Sequence, residues 1–173
     1  MLISPSRVPD APTLNTIPSP FSIAAMRIGH VFASSLPGSF APTSILIEIF
    51  GALALSGDTG PIASGLILGL AGYRPEHLAP NQSMALLETI RATKKLRLNG
   101  VISLPFIAAE HLILYPAGLH LNHSDGVRLT AYHCIHPLIT QQFYAVASPD
   151  EPSATPSFMG TIPALKEHQA KNI

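Results

Sequence analysis

The stretch Pro61 to Gly72 (PIASGLILGLAG) constrains this chain most, because its only polar side chain is a serine. A segment that is apolar on all sides has to be buried on all sides. It is too short to span a bilayer, and Asp58 sits just ahead of it. Ile62 to Ala71 therefore reads as a helix enclosed by other elements, with Gly72 as its C′ residue. The rest of the chain must supply the layers around it.

Those layers are legible. Phe21 to Ser35 reads as a helix that Ser19 or Ser22 could cap and that Pro37-Gly38 ends. Ser44 to Phe50 (SILIEIF) is short and rich in β-branched residues, so it reads as a strand, with Gly51 to Leu55 as an extension. Ser56 to Gly60 (SGDTG) is a turn. Gln82 to Thr93 places Met84, Leu87 and Ile90 on one helical face. Strand candidates follow at Leu96–Leu98, Val101–Leu104, His111–Tyr115, Val127–His133 and Ile139–Val146. The order predicts an α+β fold, with helices packed on one face of a mostly antiparallel sheet.

Prolines mark the limits of the domain. Of 17, five fall in residues 1–20 and four in 149–173. Residues 1–16 are expected to be a Pro-rich tail and 17–148 the domain. Residues 149–173 are expected to be a second tail, with a turn or two of helix near Ala164 to Ala170. Met1 to Asn15 has no apolar core of a signal peptide, so a cytosolic protein is expected.

Composition narrows function. Lys plus Arg equals Asp plus Glu at 10 each, too balanced for a nucleic-acid footprint. Charged residues are 12% of the chain, about half the roughly 25% of ordinary soluble domains. Either a partner covers part of the surface or the chain is poorly soluble alone. The single cysteine, Cys134, excludes an internal disulfide, a four-cysteine zinc site and a self-contained iron–sulfur cluster.

Eight histidines are many for a chain so poor in charge, yet none shows H-E-x-x-H spacing. His120 and His123 lie three apart, as do His133 and His136 around Cys134. On a strand that spacing points to opposite faces, so hydrogen-bonded turn residues are the simpler reading than a metal site. Asn122 to Gly126 (NHSDG) is a turn signal ahead of a strand. There His123 could act as a general base held by Asp125, or Asp125 could merely bond its own backbone. The Ser56–Gly60 turn could offer an anion the start of the apolar helix, or simply connect strand to helix.

Five stretches, taken together and in order, resemble the β domain of the iron–sulfur-dependent L-serine dehydratases. Ala25-Met26-Arg27-Ile28-Gly29 is similar to the family's P-M-[KR]-A-G, and Ile49 to Gly57 (IFGALALSG) to V-Y-G-S-L-[SA]-x-T-G. Leu66 to Gly72 (LILGLAG) is similar to I-I-M-G-L-A-G, Leu121 to Tyr132 to L-P-x-H-x-N-G-M-x-[IL]-x-A-x, and Gln142 to Val146 to T-Y-Y-S-[IV]. The resemblance spans about residues 17–148. It implies dehydration of L-serine to pyruvate and ammonia, with a [4Fe-4S] cluster acting as Lewis acid on the substrate hydroxyl. It places the cluster cysteines in an α domain or separate α subunit, so none is expected here. It also implies a fold shared with allosteric substrate-binding modules.

Departures fall on the polar motifs. The family's P-S-S-S-H-T-V-G-P-M reads here as Ile17 to Met26, with Phe21 at the histidine position and only Ser19 and Ser22 kept. Its H-H-T-D block reads Gly60-Pro61-Ile62-Ala63. Its G-G-G reads Ala147-Ser148-Pro149, after which no α domain is expected. His123 and Gly126 persist, with Asp125 where Asn is usual. The resemblance thus implies His123 and Asp125 as catalytic residues and Ser19, Ser22 and Gly126 as substrate contacts. Phenylalanine and Gly-Pro-Ile-Ala offer a zwitterion neither donor nor acceptor side chains. Three readings stay open: a β subunit that works with a separate α subunit or by self-association, a small-amino-acid-binding or regulatory module, and a truncated remnant.

Overall fold

The computed structural model describes residues 19–39, 41–116, 125–146 and the backbone of 157–161. Helix α1 (Pro20–Ser35) opens on Ser19, whose Oγ accepts from Ser22 N at 3.2 Å, with Pro20 at the first helical position. Strand β1 (Ser44–Phe50) follows. The expected strand extension is instead a 3₁₀ turn, Gly51–Ser56, because Gly51 adopts φ = 71° and breaks the extended path. Helix α2 (Pro61–Leu70) ends in a Schellman motif. Gly72 has φ = 95°, its N–H donates to Gly69 O at 2.9 Å, and Tyr73 N–H donates to Leu68 O at 3.1 Å.

Helix α3 (Pro80–Thr93) ends at Lys94 in the left-handed region, φ = 53°. Strands β2 (Lys95–Leu98) and β3 (Ile102–Pro105) form a separate hairpin turned by Asn99 and Gly100, both at positive φ. Asn99 N–H donates to Leu70 O at 2.8 Å and ties this hairpin to the end of α2. A short helix, α4 (Ala108–His111), leads into β4 (Leu112–Tyr115). Strands β5 (Gly126–His133), β6 (His136–Val146) and β7 (Ser157–Thr161) complete a five-stranded sheet of order β4-β1-β5-β6-β7. Among the described strands of this sheet only β4 runs parallel to its neighbour, and β7 adds an edge strand inside the stretch read as a tail. The α+β class holds, and the sheet is mostly antiparallel as expected, with the β1–β4 pair making it mixed.

Alternation sorts the sheet into two faces. Ile45, Ile47, Ile49, Val127, Leu129 and Ala131 are essentially inaccessible and join one core with Phe32, Leu66 and Leu70 of the helices. Gln141 on β6 reaches the same side, donating to Ser35 Oγ at 3.3 Å. Helix α1 lies directly on α2, and glycines make this possible. A methyl group at Gly69 would overlap the Met26 carbonyl and stand 2.8 Å from His30 N. One at Gly65 would overlap the Ser22 carbonyl, and one at Gly29 would come within 2.5 Å of Leu66 O. Gly29 and Gly69 belong to the motif stretches that start at Ala25 and Leu66, so those two stretches serve backbone-to-backbone packing. Arg27 on α1 reaches Glu76 at 2.8 Å. That hydrogen bond, helped by the Glu76 backbone N–H, holds the Glu76 carboxyl below the usual carboxylate range. Its contribution is present at neutral pH and is lost as pH falls through that lowered value.

Candidate functional site

The Asp125–Gly126 step begins β5, and Gly126 pairs with Phe50 at the end of β1. The Asp125 carboxylate does not bond its own backbone. Its Oδ1 accepts from Ala52 N–H at 2.7 Å, across the sheet. Phe50, which precedes the 3₁₀ turn, offers no side-chain cap, so Asp125 caps the turn from another segment. Its own carbonyl accepts from Ala145 N–H at 3.2 Å. One residue thus joins the motif stretches around Gly51, Asp125 and Tyr144. An asparagine Oδ1 would accept the same N–H, which explains why Asp and Asn can alternate here. Asp125→Asn is expected to leave stability within about 0.5 kcal/mol of wild type, and Asp125→Ala to cost about 1–2 kcal/mol in urea unfolding. Equal losses in both variants would show that the Ala52 bond does not matter.

Of the other candidates, His123 lies outside the described residues. Ser19 Oγ is engaged as the α1 cap, and Ser22 lies three residues further on the same helix. Phe21, at the family's histidine position, is exposed. At the positions of the H-H-T-D block, Pro61 opens α2 without an N–H to donate, and Ile62 and Ala63 are buried in the core. The start of α2 therefore offers an anion less than its turn sequence suggests.

Several described histidines and the segment around the cysteine make local hydrogen bonds. His133 and His136 face each other across the β5–β6 turn, with Cys134 at φ = 54° between them. His133 Nδ1 donates to Ala41 O at 2.9 Å, and Cys134 N–H donates to Thr43 Oγ1 at 2.7 Å. His30 Nε2 accepts from Arg74 Nε at 3.0 Å. His120, His123 and His168 lie outside the described residues. Among the described residues no group of three His, Cys, Asp or Glu side chains could hold a metal ion. Cys134 is an exposed, solitary thiol. These residues do not fit an iron–sulfur cluster, which takes several thiolates.

On the sheet face away from α1 and α2 lies a polar array that the sequence did not announce. Glu48 on β1 sits opposite Arg128 on β5, and Nη1 lies 3.3 and 3.4 Å from the two carboxylate oxygens. The guanidinium also stands over the Phe50 ring, 5.1 Å from its centroid, and Phe50 stacks on Tyr115 at 4.9 Å. With its amide oxygen toward Arg128, Gln142 accepts from Nε at 2.8 Å and donates to the Tyr144 hydroxyl at 2.9 Å. Alternation alone would mark Glu48 as solvent-facing, and only its cross-strand partner reveals the pair.

Comparison with known proteins agrees with these shared stretches. Residues 18–148 match the family described as serine dehydratase beta chain. The chain is 26% identical over 132 residues to the L-serine dehydratase TdcG of Escherichia coli (strain K12), covering 74% of this chain and 29% of that protein. It is 31% identical over 111 residues to the L-serine dehydratase of Mycobacterium bovis, covering 64% of this chain and 22% of that protein. The corresponding protein of Streptomyces coelicolor is 24% identical over 132 residues. The chain belongs to the serine dehydratase beta chain family. It spans less than a third of the length of these relatives, 29% of the first. No described helix is long and apolar enough to cross a membrane.

Proposed function

We propose that this chain is the β part of an L-serine dehydratase, acting in the cytoplasm on L-serine with an α part that carries the [4Fe-4S] cluster. The match over residues 18–148 carries this reading. Dehydration removes the Cα proton and the β-hydroxyl, and hydrolysis of the resulting enamine and imine gives pyruvate and ammonia. In this reading His123 takes or returns a proton. Asp125, anchored by the Ala52 N–H, orients His123 in this reading, and Ser19, Ser22 and Gly126 line the substrate. The sparse surface charge favours a covered face, either by an α subunit or by a second copy.

The test is co-expression with a family α subunit under anaerobic conditions, followed by pyruvate assay and size-exclusion chromatography. Turnover that falls by roughly a hundredfold or more in His123→Ala is the expected result. Turnover untouched by that substitution removes His123 from the reaction. A second reading, a binding module without catalysis, is favoured by one observation: Ile62 and Ala63 are buried where the family carries polar residues. A stable complex without turnover, or stabilisation by L-serine alone, supports it.

A further inference from the structure

We infer that a second site, for a small aliphatic monocarboxylate, lies between α2, α3 and the segment leading into α4. It is independent of the reading above, since none of Ser19, Ser22, His123, Asp125 or Gly126 lines it. The cavity holds about 100 Å³. That is room for several waters or for a ligand of a few carbon atoms. Ile67, Leu87 and Phe106 give it a buried apolar floor. Arg91 and Lys94, at the end of α3, and Asp58, from the Ser56–Gly60 turn, also line it.

The charges are what make the cavity selective. No ion pair or hydrogen bond engages the Arg91, Lys94 or Asp58 side chains among the described residues. A single free surface cation means nothing, but here two cationic residues, Arg91 and Lys94, line one apolar concavity. The guanidinium fork matches a carboxylate, and the ammonium adds a point charge. With Asp58 the lining carries one net positive charge, which a monoanion balances. Asp58 also penalises a second carboxylate, and the floor asks for an aliphatic tail.

The carrying backbone is held in place. Lys94 keeps a side chain at φ = 53°, where glycine is the usual residue, and its carbonyl accepts from Phe106 N–H at 2.9 Å. Asp58 sits in a turn closed by Gly60 N–H donating to Gly57 O at 3.2 Å. Lysine at a helix C-terminus also suits the helix dipole, and that role is separable by experiment. Lys94→Gly relieves the left-handed strain, so a purely structural lysine predicts no change in any ligand response.

Isothermal titration of the full chain with sodium isovalerate, against sodium chloride at equal ionic strength, is the test. Saturable binding is expected, weakened roughly tenfold or more in Lys94→Gly and in Arg91→Gln while both remain folded by circular dichroism. Succinate should bind more weakly than isovalerate and should gain in Asp58→Asn. Absence of saturable isovalerate binding overturns the site. So does binding that survives both cation substitutions, or L-valine or isobutylamine binding more tightly than isovalerate.

Discussion

Gly69→Ala should destabilise the protein by about 3 kcal/mol or more, read as a lower urea midpoint with an unchanged slope. On a free helix the same change would stabilise by about 0.5–1 kcal/mol, since glycine is a poor helix former. The sign reverses because the new methyl meets the Met26 carbonyl and the His30 nitrogen, which are backbone atoms of α1. A side chain could rotate away, but a helix backbone has to move as a body. Moving it opens gaps around Ala25 and Phe32, which are fully buried. Against a total stability of about 5–15 kcal/mol, that is a large fraction. Gly38→Ala is the control, since a methyl there meets nothing within 4 Å. A neutral Gly69→Ala would mean that α1 and α2 are not in backbone contact.

Arg128→Met should cost about 2–3 kcal/mol, while Glu48→Leu combined with Arg128→Met should fall within about 1 kcal/mol of wild type. The asymmetry comes from Glu48. Its side chain is 10% exposed on the strand between β4 and β5, and Arg128 is its ion-pair partner among the described residues. Removing the guanidinium strands a carboxylate where water reaches it poorly. Removing both groups leaves two apolar residues on a sheet face that already carries Phe50 and Tyr115. Fully buried pairs lose about 3–5 kcal/mol on such truncation, and the 27% exposure of Arg128 lowers the expectation. A double variant as unstable as the sum of its singles would deny the coupling. Chemical denaturation of the four proteins measures it directly.

Local signals explain what could be read from the sequence. Ser19 and Pro20 announce the start of α1, Ser44 to Phe50 announces β1, and Gly72 marks the end of α2, each through residues within a few positions of one another. The misses share a different cause. The break at Gly51 depends on a positive φ that its neighbours do not require. The parallel pairing of β4 with β1, and the seat of Ser157–Thr161 beside β6, depend on partners far along the chain. The bond from Ala52 to Asp125 spans 73 residues, so the turn signal at Asp125 was visible while its partner was not. Resemblance located the motif positions, and packing accounts for glycine at 29 and 69. The ligand cavity had no sequence signal beyond the turn holding Asp58.

The place of β1 in the sheet has a kinetic consequence. Glu48 and Arg128 stand 80 residues apart, and both strands that flank β1 in the sheet, β4 and β5, are made later than β1 itself. During synthesis the segment Ser44–Phe50, with its three isoleucines, leaves the ribosome long before β4 or β5 exists to flank it. Such distant pairing slows folding, and an unpaired β-rich strand invites association between nascent chains. Slowing synthesis between Phe50 and Gly126 should therefore lower the yield of folded protein at unchanged native stability, and chaperone supply during that interval should restore it.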